Sequence, residues 1–111
     1  MITTHVLDTA TGQPAAGVTV LLEMRLASEW SPVARGVTDR QGRLAGLTEG
    51  RPMAPGTYRL TFDTGTYHRS RGSQAPFFPE VTVTFNVGDV DEHYHVPLLL
   101  NPFGYSTYRG S

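Results

Sequence analysis

With 111 residues, 39% apolar and 17% charged, the chain can bury one sizeable core and carries too little charge to stay unfolded. Nine basic against ten acidic residues leave a net charge of −1, so nothing offsets a phosphate backbone, and nucleic acid is not an expected partner. The absence of cysteine excludes disulfides, thiolate metal sites and cysteine nucleophiles.

Nothing in the N-terminal Met1-Ile2-Thr3-Thr4 reads as a signal peptide, and no apolar run is long enough to span a bilayer. The expectation is one domain over residues 1–111, cytoplasmic and without a membrane partner. In chain order, Ile2 to Asp8 reads as a first strand, followed by breaks at Gly12-Gln13-Pro14 and Ala16-Gly17. Val18, Val20, Leu22, Met24 and Leu26 then alternate with mostly polar neighbours, the period-two signature of a strand with one apolar face. Pro32 to Thr38 is a weaker strand, and Asp39-Arg40-Gln41-Gly42 is a tight-turn sequence with Asp39 as a turn residue. A short strand piece at Arg43 to Leu47 precedes a loop at Pro52 to Gly56. Tyr58, Leu60 and Phe62 alternate with Thr57, Arg59 and Thr61, and Val81, Val83, Phe85 and Val87 alternate with Thr82, Thr84 and Asn86.

Between those two strands, Gly65 to Pro79 is the longest interruption, with room for one short helix. Glu92 to Leu100 reads as a strand with Pro97 inside it, and Pro97 demotes that section to an edge or a bulge. Tyr105-Ser106-Thr107-Tyr108 ends the chain as an aromatic strand. About eight short strands with frequent turns predict an all-β, two-sheet sandwich or a barrel. Val20, Leu22, Leu60, Val83 and Phe85 are its expected core.

Few residues carry chemistry. His5 shares a strand face with Thr3 and Leu7, while His93 and His95, two apart, share another. An imidazole titrates near neutrality and suits general base work on water. Two such rings on one face, with His5 as a third, also match part of a zinc site, although His-x-His is a weak signal alone. Arg43, just after a turn, offers a planar fork of donors for an anion or a polarised carbonyl. His68, within the long interruption, has no assigned role, and His68→Ala is expected to be silent. Neither a glycine-rich phosphate loop nor a G-x-S-x-G elbow is present, so nucleotide-dependent and serine esterase chemistry are disfavoured.

Two stretches resemble a known family. His5-Val6-Leu7-Asp8, followed by Gly12-Gln13-Pro14-Ala15, resembles the N-terminal signature of the transthyretin superfamily. Tyr94-His95-Val96-Pro97-Leu98-Leu99-Leu100-Asn101-Pro102-Phe103-Gly104-Tyr105-Ser106 resembles its C-terminal signature, with Asn101 where a serine is expected. Thr38-Asp39-x-x-Gly42-Arg43 and Phe77-Phe78-Pro79-Glu80 are similar to further landmarks. Within the superfamily, His5, Glu92-His93-Tyr94-His95 and the tail Tyr108-Arg109-Gly110-Ser111 resemble the 5-hydroxyisourate hydrolase branch; the hormone-carrying transthyretins have Lys where His5 stands.

The resemblance implies an eight-stranded two-sheet β-sandwich with one short helix, assembled as a homotetramer, a dimer of dimers with its sites at the dimer–dimer interface. It implies hydrolysis of the small molecule 5-hydroxyisourate without metal or other cofactor. His5, Arg43 and His95 would be catalytic, and His5, Arg43, Tyr108 and Ser111 would bind substrate, with either His5 or His95 as the base. A non-enzymatic small-ligand carrier of the transthyretin type is the alternative.

Overall fold

The computed structural model describes residues 1–111 and contains nine strand segments and one helix. In chain order these are β1 (Ile2–Asp8), β2 (Gln13–Pro14), β3 (Thr19–Leu26), β4 (Glu29–Val37), β5 (Arg43–Leu44), β6 (Gly56–Phe62), α1 (Thr64–Ser70), β7 (Val81–Val87), β8 (Tyr94–Asn101) and β9 (Gly104–Thr107). One sheet runs β2-β1-β8-β9 with β5 also paired to β1, and the other runs β4-β3-β6-β7. This is the predicted two-sheet sandwich. The extra segment is the two-residue β2, which lies where Gly12 and Pro14 read as a break.

Alternation decides what each strand buries. Ile2, Thr4, Val6 and Asp8 of β1 face inward, as do Val96, Leu98 and Leu100 of β8, and all are nearly inaccessible. Val20, Leu22, Leu60 and Phe62 close the core from the second sheet at 0% exposure. Val83 and Phe85 pack against this core but stay half-buried, because β7 is an outer strand of its sheet.

The long interruption holds α1. Asp63 caps it: one carboxylate oxygen accepts from Thr66 N at 3.2 Å and the other from the Thr66 hydroxyl at 2.8 Å. Tyr67 anchors the helix to the first sheet, its hydroxyl donating to Asp8 Oδ2 at 2.7 Å. His68, read from sequence as a loop residue, is a helical residue buried to 4% exposure, and its Nε2 has no hydrogen-bond partner.

Pro97 lies inside β8, which pairs with β1 throughout but with β9 only over residues 98–101, so the section at Pro97 has one flank outside the β9 ladder, as its sequence suggests. The Gly110 N–H donates to the His95 carbonyl at 2.8 Å, which turns the main-chain groups of His95, and by alternation those of Pro97, toward the tail. The missing proline N–H therefore falls where β9 ends at Thr107, and the Thr107 hydroxyl donates to the Pro97 carbonyl at 2.6 Å. The lost donor interrupts one ladder, and the strand stays central.

Candidate functional site

The outward face of the first sheet gathers the chemistry. In β1 the outward residues are Thr3, His5 and Leu7; in β8 they are His95, Pro97 and Leu99. Parallel pairing sets Thr3 opposite His95 and His5 opposite Pro97, while antiparallel pairing with β5 sets His5 opposite Arg43. Three segments far apart in sequence thus deliver two imidazoles and a guanidinium to one patch of sheet.

Local chemistry fixes Arg43. The Asp39–Gly42 turn precedes it, and Asp39 Oδ1 accepts from Gln41 N at 2.8 Å and from Arg43 N at 3.0 Å. Those backbone donors, that of Arg43 above all, hold the Asp39 carboxyl below its ordinary range. Gly42 adopts a φ of +75°, and a Cβ there would run into the Val6 carbonyl oxygen, so the turn demands glycine. Asp39 is the turn residue its sequence suggested.

The histidines are held differently. His5 Nε2 lies 2.8 Å from the Gln41 carbonyl, an acceptor only, so the ring carries its proton on Nε2. His95 Nδ1 lies 2.8 Å from Thr3 Oγ1, and His93 Nε2 lies 2.6 Å from the same oxygen. Burial first, then the neighbouring His93, Arg43 and His5, push the His95 imidazole below its ordinary value near 6.5. Its Nε2 makes no hydrogen bond and is not sealed from solvent. Gly110 lies against the same ring, where a Cβ would come within 2.6 Å of His95 Cδ2.

Thr3, Arg43, His93, His95 and Ser111 line one cavity of about 210 Å³. His5 borders this group through its pairing with Arg43. Within one protomer Tyr108 stands apart from this group: it is exposed and lines a separate cavity with Phe85, Tyr94 and Val96 that shares no residue with the first. A larger concavity of about 570 Å³ between Met1, Met53 and Val90 contains no imidazole. No three His, Asp or Glu side chains converge in the manner of a metal site.

Sequence reasoning missed Thr3 and Gly110 and gave His93 no role in the substrate site. Period-two alternation already put Thr3 on the His5 face. The positions of His93 and Gly110 depend on register across the sheet, which a single strand does not reveal.

A profile of the HIUase/Transthyretin family matches residues 2–110. The chain belongs to the HIUase/Transthyretin family. A 5-hydroxyisourate hydrolase of Salmonella dublin is 47% identical over 111 residues, covering 100% of this chain and 81% of that protein. The solved structure of a Klebsiella pneumoniae 5-hydroxyisourate hydrolase is 39% identical and covers 99% of this chain and 97% of that one, with a TM-score of 0.86. Sea bream transthyretin in complex with thyroxine superposes with a TM-score of 0.91 at 33% identity, covering 98% of this chain and 93% of that one. The HIUase/Transthyretin fold therefore accommodates both an enzyme and a hormone complex, so the fold by itself does not decide the activity.

Proposed function

We propose that this chain hydrolyses 5-hydroxyisourate, opening the six-membered ring at the N1–C6 bond to give 2-oxo-4-hydroxy-4-carboxy-5-ureidoimidazoline. The observation that carries the reading is the His95 imidazole, anchored at Nδ1 and free at Nε2, in a cavity that Arg43 also lines. Ring opening needs an activated water, a donor for the oxyanion and a proton for the departing nitrogen. His95 Nε2 takes a proton from water, and the lowered basicity of its ring keeps it neutral and competent below pH 6.5. Arg43 holds the carbonyl oxygen as negative charge develops. His5, its Nε2–H given to Gln41, presents Nδ1 as an acceptor that orients water or substrate. Ser111 binds the ring from the tail, and Tyr108 would reach substrate through a neighbouring copy. The relatives named 5-hydroxyisourate hydrolase, aligned over the whole chain, support the substrate.

The cavity of about 210 Å³ is open to solvent, with Arg43, His93 and Ser111 exposed at its walls, which supports completion of the site by a second protomer. The assembly proposed is a homotetramer. No helix is long and apolar enough to cross a membrane. The likeness to the thyroxine complex keeps a carrier as the second reading.

The test is the ultraviolet decay of 5-hydroxyisourate freshly generated by urate oxidase. Added protein is expected to accelerate the decay, with an acid limb in the pH profile below 6.5. His95→Ala and Arg43→Ala are each expected to cost about 10² or more in turnover. Because the steps draw on protein groups alone, a chelator is expected to leave the rate unchanged. Decay at the uncatalysed rate would reject the enzyme and favour the carrier.

A further inference from the structure

Thr3 Oγ1 sits between two imidazole nitrogens, 2.6 Å from His93 Nε2 and 2.8 Å from His95 Nδ1. Thr3 is buried to 7% exposure, and its hydroxyl has no third partner. A hydroxyl owns one proton and two lone pairs. Its proton must therefore go to one ring, and the other ring must donate its N–H to the oxygen. The tautomers of His93 and His95 are thereby locked to each other: a proton on His95 Nδ1 requires a bare His93 Nε2, and the reverse.

We propose that His93, Thr3 and His95 form a proton relay, with Thr3 as the positioning residue that couples the two imidazoles. This deepens the hydrolase reading and rests on it. In the resting form His95 Nδ1–H donates to Thr3 Oγ1, and the Thr3 O–H donates to His93 Nε2. When His95 Nε2 accepts a proton from water, its Nδ1 proton passes to Thr3 Oγ1 and the Thr3 proton passes to His93 Nε2. The hydroxide bonds to the carbonyl carbon, and one positive charge rests on His93. Reversal returns one proton through His95 Nε2 to the nitrogen released when the C–N bond breaks. Every proton is accounted for, and no outside reagent is required.

Placement explains the use of a second ring. His93 is exposed, whereas His95 is half-buried, so charge moved to His93 is better hydrated. The groups facing His95 are His93 from the preceding segment, His5 on β1 and Arg43 on β5, with Ser111 at the rim. The Arg43 guanidinium and the partial burial of the ring disfavour a cation on His95, and the relay lets that cation leave. The rings lie 6.0 Å apart between centroids, too far for direct exchange, so the hydroxyl is the necessary bridge.

The experiment compares Thr3→Ser, Thr3→Val, His93→Ala and Thr3→Val/His93→Ala in the full chain. Thr3→Ser, which keeps the hydroxyl, is expected to remain within about threefold of the parent. Thr3→Val and His93→Ala are each expected to lower kcat by about tenfold or more, with KM nearly unchanged and the acid limb displaced. The double variant should be no worse than either single one. Because His93 is exposed, His93→Ala keeps the test available even where a position-3 variant fails to fold. Parent-like kcat and pH profiles in both Thr3→Val and His93→Ala, or full additivity in the double variant, would overturn the relay. Nitrogen NMR of the histidine tautomers provides a readout separate from turnover. Loss of the opposed His93 and His95 tautomers in Thr3→Val is expected, and unchanged spectra would reject the coupling whether or not the protein hydrolyses 5-hydroxyisourate.

Discussion

The His95 ring is gripped on one edge by the Thr3 hydroxyl and pressed on another by the bare Cα of Gly110. A methyl group at position 110 would meet Cδ2 at 2.6 Å, and a ring that swings away from it strains the bond between Nδ1 and Thr3. Gly110→Ala is therefore expected to leave thermal stability nearly unchanged and to lower turnover of 5-hydroxyisourate by about 10², the scale of an ångström's misplacement. Equal losses of stability and turnover would mean that the contact is structural alone. His68 presents the opposite case. His68→Ala is still expected to be silent in turnover, but burial gives it a cost in stability, because this side chain fills space within the fold with an unpartnered Nε2. His68→Ala should cost about 1–3 kcal/mol through the void it leaves. His68→Leu, which fills the space and removes the unpaired nitrogen, should gain about 1 kcal/mol. Urea unfolding of the two variants reads these signs directly, with turnover unaffected in either. Which side chains share a face was legible from period two alone. The burial of His68 was not, because a seven-residue helix contains too few turns to display its inner face.

At the scale of elements, the strong strands were legible because alternation is local, whereas hairpins depend on turn chemistry. From the sequence the third expected strand begins at Pro32, yet the corresponding β4 begins at Glu29, joined to β3 by the two residues Ala27 and Ser28. Such a tight turn normally announces itself with Asn or Gly. Here Ala27 takes the left-handed conformation at φ 57°, and so concealed the hairpin. That conformation costs alanine about 1–2 kcal/mol. Glycine avoids it but loses about 0.5–1 kcal/mol through the freedom of the unfolded chain. Ala27→Gly should then stabilise the protein by about 0.5 kcal/mol, visible as a rise of roughly 2–4 °C in Tm. A fall in Tm would show that the loop relaxes and carries no strain. Pro97 was legible as a local break because the missing N–H belongs to the residue itself, but only the register of the tail shows which flank of β8 loses the donor.

For the whole molecule, the strand order leaves β7 and β9 each with one unpaired flank. Because the tail-facing groups of β8 are those of His95, Pro97 and Leu99, the paired groups of β9 are those of Gly104 and Ser106. Tyr105 and Thr107 therefore turn their N–H and C=O groups outward. Beside that open edge lie Phe103, 80% exposed, and Phe77, 67% exposed, with ring centroids 6.5 Å apart; Tyr105 packs edge-on against Phe78. An open edge flanked by exposed aromatics invites pairing with another copy, since the edge is a ready template of donors and acceptors and the aromatic surface gains by leaving water. The sequence displayed the aromatic residues but not their convergence, which needs Phe77 from the loop before β7 to meet Phe103 from the turn before β9. Sedimentation of the unmodified chain is expected to give four protomers. Phe103→Asp and Phe77→Asp place a carboxylate in the proposed contact and should release monomers that keep the two-sheet circular dichroism spectrum. Because exposed Arg43, His93 and Ser111 leave the cavity around His95 open to water in one protomer, those monomers should also lose most of their turnover. Monomers with full activity would show that one protomer suffices, and tetramers undisturbed by both changes would move the interface to another face of the sandwich.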